Sequence, residues 1–166
     1  MMDLLLMGAA LASSPDLGKA EGQCRALEHG SAFLVEVHGL KDRQGRLKLE
    51  LYPANDQDFL ADDNILLSAG KAFRRVEVPV PGSGPVMLCI RAPGPGSYAL
   101  SLLHDRNSNR RFTLSTDGIG FAGNPKLGLS KPSASAASAI VGAAPARIAI
   151  ILNYRRGLFS VAPLEH

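Results

Sequence analysis

The run Arg46-Leu47-Lys48-Leu49-Glu50-Leu51-Tyr52 constrains the fold more than any other stretch of the chain. Successive side chains of a strand point to opposite faces, so this spacing turns every Leu one way and every charge the other. That is the signature of a half-buried antiparallel strand with one face on a core and one in water. Upstream, Phe33, Val35 and Val37 alternate with Leu34, Glu36 and His38. The intervening Lys41-Asp42-Arg43-Gln44-Gly45 predicts a hairpin between the two runs.

The same period recurs at residues 74–80, 85–92, 97–104 and 146–154. Pro79-Val80-Pro81-Gly82-Ser83-Gly84-Pro85 and Pro93-Gly94-Pro95-Gly96 separate them, and no regular element crosses such segments. Residues 55–71 break the pattern: Asn55 or Asp56 is placed to cap one or two helical turns carrying Phe59 and Leu60. Residues 115–145 are rich in Gly, Ala, Ser and Pro, with room for a short Ala-rich helix at 133–144. Six or seven short strands joined by turns predict an all-β antiparallel sandwich. Aromatic residues are only 5% of the chain and Trp is absent, so aliphatic side chains must build the core. Leu47, Leu49, Leu51, Val76, Val78, Leu100, Leu102, Ile148 and Ile150 are expected to face inward.

One stretch carries a chemical signal. Strand 97–104 runs into His104-Asp105-Arg106-Asn107-Ser108-Asn109, with oxygen-bearing side chains at alternate positions 105, 107 and 109. Asp-x-Asn-x-Asn spacing can surround a hard cation such as calcium. Asp105, Asn107 and Asn109 can equally bond back to their own backbone and hold a turn. As a twelve-position calcium loop the segment is poor: position six is Arg110 rather than Gly, and position twelve is Thr116 rather than Glu. Only one carboxylate is certain, and Arg106, Arg110 and Arg111 surround it. The expectation is a structural loop, with calcium as the only cofactor to consider.

His104 shares the inward face with Tyr98, Leu100 and Leu102. It is either a half-buried hydrogen-bonded residue or a general base. Asp105 points to the opposite face and cannot readily orient it. No Gly-x-Ser-x-Gly elbow supplies a nucleophile, and no catalytic residue is assigned. In Gly118-Ile119-Gly120-Phe121-Ala122-Gly123-Asn124, Phe121 is either an exposed binding aromatic or an anchor beneath its loop. His104 is expected to pack beside Gly120–Phe121, joining the two loops into one end of the sandwich.

Cellular address comes from the N-terminus and the cysteines. Leu4-Leu5-Leu6-Met7-Gly8-Ala9-Ala10-Leu11-Ala12 has the form of a signal-peptide core ending in Ala-x-Ala, without the usual basic start. Residues 1–12 are thus expected to be a leader remnant, 13–30 an N-terminal arm, and 31–163 the sandwich. Residues 164–166 have the look of a purification-tag scar. Cys24 and Cys89 are either a disulfide pinning the arm to the sheet or two small buried hydrophobes. An oxidised pair is expected, with a periplasmic or secreted address. The apolar N-terminal run is too short to span a bilayer. A net charge of +3 is too small to imply nucleic acid, and Arg74-Arg75, Arg110-Arg111 and Arg155-Arg156 read as solvated pairs.

Four blocks together resemble a bacterial exported family, domain of unknown function 2141. They are Val35-x-Val37-x-Gly39-Leu40, Gly45-x-Leu47-x-Leu49-x-Leu51-Tyr52, Pro95-Gly96-x-Tyr98-Ala99-Leu100-x-x-x-His104-Asp105-x-Asn107-x-Asn109, and Gly118-Ile119-Gly120-Phe121-x-Gly123-Asn124. The resemblance spans residues 30 to 155 or so. It implies an immunoglobulin-like or transthyretin-like sandwich outside the cytoplasm, and no established activity. Arg106 and Arg110 stand where the family carries an acidic residue and a Gly, which removes charge and turn geometry useful for calcium. The functional expectation is a non-enzymatic binding or accessory module serving an envelope partner or small ligand. Its working surface would be His104, Asp105, Asn107, Asn109, Gly120, Phe121 and Asn124. The alternatives are a weakly calcium-stabilised structural domain and a small hydrolase-like enzyme using His104 and Asp105.

Overall fold

The computed structural model describes residues 12–158 and 160–164. Residues 1–11 of the leader-like run, and Glu165 and His166 of the tag-like end, lie outside the described residues. The described strands form two packed sheets. One has three strands: β1 (Ala32–His38) lies between β4 (Val86–Arg91) and β8 (Ala146–Ile151). The other has seven. Its long strand β5 (Gly96–Asp105) lies between β2 (Arg46–Pro53), which in turn pairs with β3 (Arg74–Pro79), and two short strands. Those are β7 (Ser138–Val141) along the start of β5 and β6 (Gly118–Phe121) along its end. Beyond β6 come β9 (Asn153–Arg155) and β10 (Val161–Pro163).

The core is sandwiched as the alternation requires. Phe33, Val35, Leu88 and Ile90 of the small sheet meet Leu47, Leu49, Leu51, Leu100 and Leu102 of the large one. Ile150 is fully buried with them, while Val76, Val78 and Ile148 pack against the cluster from its margin. The opposite face of the large sheet is covered as well. Tyr52, Ala99 and Phe121 on that face pack with Phe59, Leu66 and Phe73 from the 55–73 segment, which contains the short helix α2 (Asp63–Ser68). A shorter helix, α1 (Lys19–Gly22), lies in the N-terminal arm. The arm is fastened by the Cys24–Cys89 disulfide, whose Cα atoms are 5.9 Å apart, and by a bridge from Gln23 to Ile90.

Several expectations need correction. The runs at 33–37 and 46–52 are not a hairpin: β1 is flanked by β4 and β8, and β2 by β3 and β5. Alternation reports which face is buried but not which neighbour takes the edge. All sheet pairs are antiparallel except β1 with β8, which is parallel. A parallel neighbour needs a long crossover, and here the chain passes through the large sheet before returning. The single strand expected over 146–154 breaks at Leu152, changing sheets between β8 and β9. Residues 138–141 form β7 rather than part of a helix, because pairing with β5 outweighs the helix propensity of alanine. Glu50 is 7% exposed rather than solvated, because the face opposite the leucines is also covered.

Candidate functional site

Strand β5 delivers His104 and Asp105 to one end of the large sheet, and consecutive strand residues send them apart. Asp105 turns into its own loop: the Asn109 N–H donates to Oδ1 at 3.2 Å and the Arg110 N–H to Oδ2 at 2.6 Å. Asn107 Oδ1 accepts from the Asn109 N–H, and Asn109 Oδ1 from the Arg111 N–H. A second carboxylate closes the loop from its far end. Asp117, 1% exposed, accepts from the Arg106 N–H at 3.0 Å and the Thr113 N–H at 2.9 Å. Each loop carboxylate therefore spends both oxygens on backbone donors that burial would otherwise strand. Among the described residues no group of three or more His, Cys, Asp or Glu is arranged to hold a metal.

His104 is completely buried. Its Nε2 lies 2.8 Å from the Gln44 carbonyl oxygen, which can only accept, so Nε2 carries the proton and donates. Nδ1 is then the acceptor for the Tyr154 hydroxyl at 2.6 Å, and that hydroxyl in turn accepts from the Lys41 N–H. Burial drives the imidazole below its ordinary pKa, and burial pushes Tyr154 up to about 12. The chain from Lys41 through Tyr154 and His104 to Gln44 is complete with a neutral ring. It fastens the 41–44 loop to β5 and β9. Nearby, Asp42 is held below the usual carboxylate range by the Arg106 guanidinium, which donates to Oδ2 at 2.6 Å.

Residues 118–124 are mostly strand rather than loop. Gly118 sits opposite His104, and a Cβ there would collide with the Tyr154 ring. Gly120 sits opposite Leu102, where a Cβ would meet Ile150 and the Ile151 carbonyl. His104 thus contacts the Gly118–Tyr154 joint instead of Gly120–Phe121, because β6 runs away from the His104 end. Phe121 lies opposite Ser101, about 10 Å further along the strand. Its ring is 4% exposed and meets Phe59 edge-on at 5.8 Å. Asn124, in the left-handed region (φ 47°), ties the turn after β6 to the small sheet. Its Oδ1 accepts from the Ile151 N–H and its amide nitrogen donates to the Ala149 carbonyl, taking the place of a strand beside β8. The expected site residues thus divide: Asp105, Asn107 and Asn109 hold their own loop, His104 turns away into the joint with Gly118 and Tyr154, and Gly120, Phe121 and Asn124 serve other joints.

Two grooves lie over the outer face of the large sheet, with Leu60 lining both. The polar one, about 500 Å³, lies over β2 and β3 and is walled partly by Ser13, Ser14 and Pro15. At its floor Arg75 donates to Glu50 Oε2 at 2.7 Å and to Asp63 Oδ2 at 3.1 Å, and also to the carbonyls of Ser14 and Pro15. Burial works against the Arg75 charge, but Glu50 and Asp63 more than offset it and raise its pKa. Glu77 lies below the usual carboxylate range despite burial, because Arg46 donates to it at 2.9 Å. Its Oε2 takes no hydrogen bond and faces Lys19 Nζ at 3.7 Å.

The apolar groove, about 360 Å³, lies over β6. Phe112, Leu114, Leu127, Leu129 and Leu158 form its walls, with Phe121 among the lining residues. Phe112 is 44% exposed, Leu114 41%, Leu129 85% and Leu158 72%. Neither His104 nor Asp105 lines either groove. Sequence reasoning missed this site because Phe112, Leu114, Leu127 and Leu129 fall in irregular chain, where strand periodicity has no meaning. The usable signal was the occurrence of large apolar residues in segments otherwise rich in Arg, Asn, Ser and Gly.

No curated protein and no solved structure matches the chain. A family model does, over residues 35–149, from β1 into β8 and including His104, both loop carboxylates and Asn124, but ending before Tyr154. With most of its length so matched, the chain belongs to DUF2141, a family described as an uncharacterised protein conserved in bacteria.

Proposed function

We propose that this chain is a non-enzymatic binding or accessory module of the bacterial envelope, periplasmic or secreted, and that it holds a small apolar ligand in the groove over β6. One observation carries the reading: four large apolar side chains that stand 41–85% exposed converge on a single concavity. Isolated exposed leucines need no explanation, but a contiguous set around a groove marks a binding surface. Its volume falls within the roughly 300–1,000 Å³ of small-molecule sites. Export is supported by the Cys24–Cys89 disulfide. No helix among the described residues is long and apolar enough to cross a membrane. A hydrolase reading gains no support from His104, whose two nitrogens are already engaged beneath the surface. The 105–117 loop is read as structural, on the hydrogen bonds that occupy its carboxylates.

The test is titration with N-phenyl-1-naphthylamine, a neutral dye that brightens in apolar sites. The expected result is saturable brightening that disappears in Phe112→Ser/Leu129→Ser while the melting temperature holds. Absence of brightening, or equal brightening in the variant, would overturn the reading.

A further inference from the structure

We propose that the ligand of the apolar groove is a single-chain anionic amphiphile, its hydrocarbon on the wall formed by Phe112, Leu114 and Leu129 and its acidic head beside Arg111 at the rim. The proposal rests on the binding reading above and adds the chemistry of the head group. Charge is distributed unevenly around the groove. No acidic residue lines this groove, and its one charged lining residue is Lys131. The Lys131 ammonium donates to the carbonyls of Phe59 at 2.8 Å and Asp56 at 3.1 Å, so it is held in place without a carboxylate. Every wall segment is preceded in the chain by cations. Arg110-Arg111 leads into Phe112, Lys126 into Leu127, and Arg155-Arg156 lies just before Leu158. Arg111, Lys126, Arg155 and Arg156 are all exposed and form no ion pair among the described residues. Arg110 has only Glu77 at 3.9 Å. Two of the three arginine pairs in the sequence therefore lie within three residues in the chain of side chains that line one apolar concavity, which is not how scattered solubilising charge is distributed.

The neighbouring polar groove explains where the head belongs. Arg110 and Arg111 line that groove, and Leu60 connects it with the apolar one. Its acids Glu50 and Asp63 are committed to Arg75, and Glu77 to Arg46. Asp62 is the one lining acid without an ion pair among the described residues. An anion lodged at Arg111 thus finds unpaired positive charge on the apolar side and largely neutralised charge on the other. Leu60, at the junction, has φ 64°, a left-handed conformation that leucine rarely adopts and that is retained where the surroundings require it. A concave groove of this volume accommodates one chain, so a free amphiphile fits it better than a flat bilayer surface.

The experiment displaces bound N-phenyl-1-naphthylamine from the full chain with laurate, dodecanol and dodecylamine, which share a chain and differ in the head. Laurate is expected to displace the dye at about tenfold lower concentration than dodecanol, equivalent to 1.4 kcal/mol. The advantage should shrink in 0.5 M salt and disappear in Arg111→Gln/Arg156→Gln, which still binds the dye. Equal displacement by all three, or preference for the amine, overturns the anionic head while leaving a groove that binds apolar molecules. Failure of the dye to bind at all overturns both readings. Laurate preference that survives the double variant overturns the head-group placement. Two further outcomes overturn the free amphiphile in favour of another occupant: sedimentation with phosphatidylglycerol vesicles without laurate displacement, and a dimer abolished by Phe112→Ser/Leu129→Ser.

Discussion

The two grooves share one sheet face and one residue, Leu60, yet they leave their side chains in opposite conditions. Over β2 and β3 the charges are turned on one another, with Arg75 between Glu50 and Asp63 and the arm carbonyls laid over the guanidinium. Over β6 the large apolar side chains of Phe112, Leu114, Leu129 and Leu158 stand exposed. A polar concavity whose groups are already answered is part of the fold's own fastening. An apolar concavity that remains exposed is the one with free energy left to gain by binding. Of these two grooves the polar one is the larger, at about 500 Å³ against 360 Å³, but chemical saturation reverses the order.

The largest expected effect is on the saturated side. Arg75→Ala leaves Glu50 and Asp63 buried without their cation and should cost about 3–5 kcal/mol in urea unfolding. A loss below about 1 kcal/mol would mean that the polar groove is not a fastening, and the contrast would break there. Asp105→Ala should cost about 1–3 kcal/mol, since the Asn109 and Arg110 donors lose their acceptors. Calcium should raise the melting temperature little in either form. A large rise abolished by Asp105→Ala would reassign the loop as a metal site and move the working surface away from β6.

A pH series addresses the joint between the loop and the sheet. Burial lowers the folded-state pKa of His104, so the unfolded chain takes up the proton first as pH falls. The stability held by the neutral ring is full above about pH 6.5 and is lost as the pH falls toward the lowered folded value. Urea midpoints should decline from pH 7 to pH 5, and His104→Asn should flatten that decline even though the variant starts less stable. Asp42 and Glu77, held low by Arg106 and Arg46, and Asp63, held low against burial by the Ser13 hydroxyl and then Arg75, add their losses in a more acid range. An unchanged slope in the variant would show that the imidazole is not kept neutral by its joint.

The smallest effect on stability is expected on the unsaturated side. Phe112→Ser/Leu129→Ser exchanges apolar surface already in water, and unfolding free energy should move by about 0.5 kcal/mol or less while dye binding is lost. That pairing of near-neutral stability with lost binding is the converse of Arg75→Ala. If the double variant unfolds much more easily than the wild type, its side chains belong to the core and the contrast is lost.

Features that depend on local periodicity were legible from the order of residues alone. Leu47, Leu49 and Leu51 turn inward because a strand has period two, and no tertiary arrangement changes that parity. The Asp105, Asn107 and Asn109 hydrogen bonds were legible for a related reason: such side chains reach only backbone a few residues away. The Cys24–Cys89 pairing followed from there being two cysteines in the chain and a leader-like N-terminal run that led to an expectation of export. Tertiary structure alone decided which strand edges meet, since β1 and β2 carry the same alternation and lie in different sheets. It also decided that Glu50 finds Arg75, that Tyr154 completes the bonds of His104 from 50 positions away, and that four apolar residues of irregular chain surround one groove. Parity and short-range hydrogen bonding are written in neighbouring residues. Edge pairing, burial of the second sheet face and the meeting of distant side chains depend on long-range packing, for which a single sequence carries no local mark.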